Sequence, residues 1–300
     1  MSIEVKELSK IYGHQIAVNS INFKINNGEI VGFLGPNGAG KSTTMKMICC
    51  YLSPTSGEVF VNGESIKNNP LKIKSELGYL PENNPLYGEM YVKEFLGFIA
   101  QIHKINDIKQ AVNEVIKKVG LSKEAHKKIE QLSKGYQQRV GIAQAIIHNP
   151  KVLILDEPTS GLDPNQLDEI RSLIKELGKN KTVMLSTHIM QEVESICDRI
   201  IIINNGKMVA DQDIENRSSK QDNEQVIIVE FDKTVSKEKL LSASKNLKIK
   251  KIDQQWIIAS NEKEDLRLLI STFAQNNDLF ILEIKKHTNK LEDLFKKVTK

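Results

Sequence analysis

IVGFLGPNGAGKSTTMKMICC, Ile30 to Cys50, is the stretch that decides the fold. Its first five residues form an apolar run typical of a buried strand, and Ser42–Cys50 reads as an amphipathic helix. Between them, GPNGAGKS (Gly35–Ser42) fits G-x-x-x-x-G-K-[ST] in the strand-then-helix context that a phosphate-binding loop requires. Gly35, Pro36, Asn37, Gly38, Ala39 and Gly40 give a backbone whose N–H groups can wrap the β- and γ-phosphates of a nucleotide, and the helix N-terminus adds partial positive charge. Lys41 neutralises phosphate oxygens, Ser42 offers a hydroxyl to Mg2+, and Thr43 adds a phosphate contact. About one random chain of this length in a hundred carries the pattern by chance, and the flanking strand and helix lower that further.

Working outward, VLILDEP (Val152–Pro158) is an apolar strand ending in two carboxylates and a proline. Adjacent acids at the end of a buried strand are costly unless they have chemistry to perform there. Asp156 is placed to hold Mg2+ through water, and Glu157 to polarise the water that attacks the γ-phosphate. VMLSTH (Val183–His188) repeats the arrangement, which puts His188 at the same sheet edge as a γ-phosphate sensor. LSKGYQQRV (Leu132–Val140) begins a helix with a good N-cap, Ser133, and a close-approach residue, Gly135. It is a second helix N-terminus suited to an anion.

Short β-like runs fill residues 2–34, residues 90–131 read as mostly helical, and strands and helices alternate from 132 to about 210, the pattern of an α/β sheet. Residues 211–225 are polar and read as a linker. Beyond them, VIIVEF, LKIKKID, QWIIAS, a helix at 263–275, LFILEIKK and a final helix LEDLFKKV suggest a small α+β domain. In that last helix Leu291, Leu294, Phe295 and Val298 share one face, suited to packing on its own domain. The sequence is 40% hydrophobic with a net charge of +4, has no apolar run long enough for a membrane span, and shows no apolar signal-peptide core. Three cysteines without metal spacing fit a reducing compartment. The mild, dispersed positive charge gives little support to a nucleic-acid partner.

In order, GPNGAGKS, GYLPE, LSKGYQQR, VLILDEP, SGLD (Ser160–Asp163) and STH resemble the motif series of ABC transporter ATP-binding subunits over residues 2–215. The variants resemble the ATPases of ABC-2 type exporters, nearest the gliding-motility-associated subunits. The resemblance implies an α/β P-loop NTPase core with an antiparallel β subdomain, in a cassette at 1–215 with a helical subdomain at about 83–150. An α+β accessory domain at 222–300 would follow. It implies an ATPase that binds ATP and Mg2+, drives export by ATP-dependent dimerisation, and pairs with a second ATP-binding subunit, as a homodimer, and with a separate transmembrane permease. Such a subunit sits peripherally on the cytoplasmic face of the membrane and needs no nucleic acid. A cytosolic ABC-type ATPase acting on a nucleic-acid or ribosomal assembly is the alternative. Such ATPases usually carry two cassettes or a long coiled-coil insert, whereas this chain has one phosphate loop and about fifty residues between Glu82 and Leu132. Tyr12 falls where the family stacks an aromatic ring on adenine. Ser133, Lys134, Gly135, Tyr136 and Gln137 occupy the signature position, which serves the partner's ATP. Two positions depart from the family: Lys134 and Tyr136 replace a glycine and a glutamine, and Glu82 stands where a metal-contacting glutamine is usual. A carboxylate there can still contact Mg2+ or its water while adding negative charge near the phosphates.

Overall fold

The computed structural model describes residues 1–214, 225–244, 246–252, 254–260, 265–286 and 295. They fall into two compact units, one covering Met1–Ile214 and the other the described residues from Gln225 to Lys286.

The first unit opens with a hairpin of β1 (Ile3–Tyr12) and β2 (Gln15–Ile25), turned at Gly13 with φ 57°. Then come β3 (Ile30–Leu34), α1 (Lys41–Ile48), β4 (Ser56–Val61), β5 (Glu64–Ser65), α2 (Pro70–Glu76) and β6 (Leu77–Leu80). The helical stretch contributes α3 (Val92–Ile102), α4 (Ile108–Lys118) and α5 (Lys134–Ile146). The unit closes with β7 (Val152–Asp156), α6 (Pro164–Gly178), β8 (Thr182–Thr187), α7 (Met190–Ile196), β9 (Arg199–Asn204) and β10 (Lys207–Asp213).

A four-stranded antiparallel sheet runs β2-β1-β4-β5, and a six-stranded sheet runs β10-β9-β3-β8-β7-β6. In the second sheet β9, β3, β8, β7 and β6 are parallel and β10 is an antiparallel edge. β3, β7 and β8 are buried at every position, as expected of parallel strands covered on both faces. Register pairs Leu34 with Thr187 and Asp156 with Ser186, so β3, β7 and β8 end at one edge. Ligands bind at that carboxyl edge of parallel strands. A shared core of Phe23, Phe33, Met45, Ile154, Met184 and Ile201 joins the two sheets.

Residues 90–131 are mostly helical, as their spacing suggests, with breaks between the helices. α4 stops at Lys118, and Gly120 takes φ 72° directly after the C-cap residue Val119, a left-handed helix stop. Only a 3-10 turn, Ile129–Gln131, precedes α5. The polar stretch beginning at 211 is not wholly linker, because β10 continues to Asp213. An edge strand tolerates polar residues, and Arg199 on β9 donates to both carboxylate oxygens of Asp211 at 2.6 and 2.7 Å. The remaining linker, 215–224, lies outside the described residues.

The second unit runs β11 (Gln225–Phe231), α8 (Lys237–Leu241), β12 (Lys248–Ile252), β13 (Gln255–Ser260), α9 (Leu266–Asn276) and β14 (Ile281–Lys286). All pairs in its sheet, ordered β12-β13-β11-β14, are antiparallel, the split βαβ arrangement. Ile227, Val229 and Phe231 alternate into a core with Trp256, Ile258, Ile270 and Phe273. α8 had no periodic signal because it is only five residues long; Ser236 caps it by accepting from the Lys239 N–H at 3.3 Å. The expected final helix at 291–298 lies outside the described residues except for Phe295.

Candidate functional site

β3 feeds the loop Gly35–Gly40, which opens directly into α1. The loop reverses through Gly38 at φ 77° and Gly40 at φ 106°, conformations that glycine adopts without penalty. Gly35 is held against the Ile203 carbonyl, where a Cβ would overlap it. Lys41 is 7% exposed, and its Nζ donates to the Gly35 carbonyl at 2.8 Å and the Pro36 carbonyl at 3.3 Å.

A cavity of about 420 Å³ opens over this loop. Asn37 to Thr43 form its floor, Tyr12, Gln15 and Ala17 one wall, and Glu82 and Glu157 complete the lining. Gly35 and Pro36 do not line it and contribute carbonyls to Lys41 from behind. A second cavity, of about 340 Å³, shares Ser42 and Glu82 with the first and adds Asp156. The three expected metal contacts therefore surround one volume, while among the described residues no three His, Cys, Asp or Glu side chains gather as a metal cluster. A magnesium ion fits this donor set, because it is commonly held by one or two carboxylates together with substrate phosphates and water.

Asp156 is 1% exposed, and its Oδ1 accepts from Ser186 Oγ at 2.6 Å. The same Oγ accepts from the Glu157 N–H at 2.9 Å, so one hydroxyl aligns both acids. Glu157 is 8% exposed and has φ 50°, an uncommon left-handed conformation for a residue with a side chain. Its Oε2 lies 2.9 Å from His188 Nδ1. Burial raises the Glu157 carboxyl above its ordinary range, and His188 and Lys41 oppose that rise. The His188 ring is otherwise open, with 57% of the side chain exposed.

The signature residues are elsewhere: none of Ser133, Lys134, Gly135, Tyr136 or Gln137 lines either cavity. Ser133 caps α5 by accepting from the Tyr136 N–H at 3.5 Å and is exposed. Gly135 is buried against the Gln166 side chain, and Gln137 Nε2 donates to the Ile129 carbonyl at 3.1 Å. Ser186 escaped the sequence reading, although its position in the strand end VMLSTH, level with Asp156, was the available signal. Gln15 and Ala17 had no signal, since only the fold brings the hairpin to the loop.

The family described as ABC transporter matches residues 18–160. The chain is 40% identical over 208 residues to the uncharacterized ABC transporter ATP-binding protein YxlF of Bacillus subtilis (strain 168), covering 69% of each chain. It is 34% identical over 298 residues to the bacitracin transport ATP-binding protein BcrA of Bacillus licheniformis, covering 99% of this chain and 96% of that one. It superposes with a TM-score of 0.66 on a dimeric, post-hydrolysis structure of the ATP-binding cassette MJ0796 bound to ADP and Pi. That match is 29% identical and covers 71% of this chain and 98% of the other.

Proposed function

The chain belongs to the ABC transporter family as an ATP-binding, ATP-hydrolysing subunit, and on that premise we propose that it powers an exporter by closing on a second copy of itself around ATP. One observation carries this reading. The cavity over the phosphate loop has Lys41, Glu82 and Glu157 in its lining, yet none of Ser133, Lys134, Gly135, Tyr136 or Gln137 at the start of α5 lines it. A second chain supplies the missing half, with Ser133 and the Gly135 backbone meeting the γ-phosphate held by the first chain's Lys41.

Within each half, adenine stacks on Tyr12 and the phosphates lie along Asn37–Thr43. Ser42, Asp156 and Glu82 would hold Mg2+, which when bound neutralises phosphate charge. Glu157 takes the proton of the attacking water, and its raised affinity for a proton improves it as a base. His188, tied to Glu157 through Nδ1, faces the γ-phosphate with the rest of its open ring. Among the described residues no helix is long and apolar enough to cross a membrane. In this reading, which rests on the family membership, a separate transmembrane permease carries the transported molecule and holds this subunit at the cytoplasmic face, with the second unit as an accessory domain. Bacitracin transport is in the name of one relative, and the exporter reading draws on it.

Mixing two inactive chains tests the shared site. Lys41→Ala removes the phosphate-loop cation, and Ser133→Arg puts bulk at the signature. Their heterodimer has one doubly damaged site and one intact site, so mixing restores ATPase activity, whereas the double variant alone stays inactive. A mixture as inactive as its parents, together with a Ser133–Gly38 cysteine crosslink formed within one chain, would overturn the reading.

A further inference from the structure

Glu192 lies in the first turn of α7, is 0% exposed and has no place in the mechanism above. Burying a carboxylate costs several kcal/mol unless its oxygens are satisfied. One of them is doubly used: Oε2 accepts from Thr187 Oγ1 at 2.6 Å and from Thr159 Oγ1 at 2.8 Å. Thr187 immediately precedes His188, and its Oγ1 also accepts from the Ile189 N–H at 3.1 Å, so both neighbours of His188 are fixed to the same point. Thr159 lies two residues after Glu157, in the turn that leaves β7. The other oxygen, Oε1, has no hydrogen-bond partner, and Arg171 Nη2 of α6 lies 3.8 Å from it. Arg171 Nε also lacks a hydrogen-bond partner.

We propose that Glu192 is a positioning residue for ATP hydrolysis, setting the distance between Glu157 and His188 by pinning the two loops that carry them through Thr159 and Thr187. The inference rests on reading Glu157 and His188 as the hydrolytic pair. A hydrophobic side chain could fill the space under α7, but only an acceptor can hold two hydroxyls from different segments, one at the end of β8 and one in the turn after β7. Glu157 has particular need of such a hold, since its backbone sits at φ 50° between β7 and this turn. An error of about 1 Å between reacting groups costs on the order of 100-fold in rate, so loosening either loop reduces turnover before it affects nucleotide binding.

The test is steady-state ATPase kinetics on the full chain, with thermal unfolding as a control. Glu192→Ala lowers kcat by about 10- to 100-fold and leaves KM for ATP within about twofold. Glu192→Gln, whose amide oxygen can still accept both hydroxyls, recovers most of that loss. Thr159→Val lowers kcat, and Thr159→Ser restores it. If Glu192→Ala does not fold, the two Thr159 variants carry the test. The decisive measurement is a double-mutant cycle with His188→Ala: a residue acting through His188 adds little once His188 is gone. Multiplicative losses in that cycle, equal activity of Thr159→Val and Thr159→Ser, or a loss confined to KM would each overturn the proposal. Wild-type turnover in Glu157→Gln would remove the hydrolytic-pair reading and this proposal with it. Loss of turnover in Glu157→Gln with no effect of the Thr159 and Glu192 changes would remove this proposal alone.

Discussion

Alanine at Gly38 and at Gly40 separates two demands that the phosphate loop makes on its glycines. Gly38 has φ 77° with nothing within 4 Å of an added Cβ, so alanine there meets only the left-handed backbone penalty, roughly 1–2 kcal/mol. Gly40 has φ 106° and ψ 7°, and an added Cβ would lie 2.5 Å from the Ala17 carbonyl, with Val18 and Ile203 side chains close behind. The obstruction is backbone of β2, which cannot rotate aside, so an overpacking cost of about 1–3 kcal/mol adds to the conformational one. Gly40→Ala is therefore expected to destabilise the first unit by about 2–5 kcal/mol in total, clearly more than Gly38→Ala. Urea unfolding can read this unit alone. All 6 tyrosines lie in the first unit and the 1 tryptophan, Trp256, in the second, so tyrosine emission follows one and tryptophan emission the other. The first transition shifts and the Trp256 transition does not. Equal losses at the two glycines, or a larger loss at Gly38, would refute the argument.

Further outcomes follow from the acids. Glu157→Gln is expected to lower kcat by about 10²–10⁴-fold while ATP still binds, measured by single-turnover hydrolysis and nucleotide titration. Its pH dependence has a fixed sign. Because the carboxyl is raised from 4.5 in the folded chain, ionised Glu157 costs stability above its ordinary range and nothing below it. The glutamine variant thus melts higher than the parent at pH 7, and the difference closes as pH falls below 4.5; a constant difference from pH 4 to 8 would contradict it. Glu82→Gln is expected to retain most activity, since an amide oxygen can replace the carboxylate oxygen facing the Ser42–Asp156 cavity, and Glu82→Ala to lose more. Equal rates for all three chains would make the side chain a bystander.

The sequence was informative where function is written in the backbone. Glycine spacing in GPNGAGKS encodes turns that few other residues can make, and unbroken apolar runs encode parallel strands, so the P-loop core could be read directly. It was less informative where tertiary pairing overrides local composition. Asp211 looks like linker until Arg199 is beside it, and the helical spacing around Val119 does not reveal that Gly120 ends the helix. Glu192 is the sharpest case. In MQEVESI it resembles any exposed acid of a short helix, and only the convergence of two strand ends makes it a buried acceptor.

That convergence also gives the start of α5 a physical route to Glu157. The turn after Glu157 does not end at Glu192. Gln138 Nε2 of α5 donates to the Pro158 carbonyl at 2.8 Å, the Lys134 side chain lies over Gly161 at φ 71°, and Gly135 packs on Gln166 of α6. Residues 157–163 therefore begin at Glu157 and meet α5 at Pro158 and Gly161. A lysine at position 134, where the family usually has glycine, fits because Gly161 has no Cβ beneath it. If an anion from a second chain docks at Ser133, displacement of α5 must be passed to this turn or absorbed by it. Thr159 is the point where the turn is anchored to Glu192. Loosening that anchor should uncouple ATP-driven closure from hydrolysis, leaving Thr159→Val able to dimerise on ATP yet slow to turn it over. Size-exclusion chromatography with ATP, set beside the kinetic measurement on the same variant, distinguishes this from a loss of dimerisation, which would place the fault in the signature helix instead.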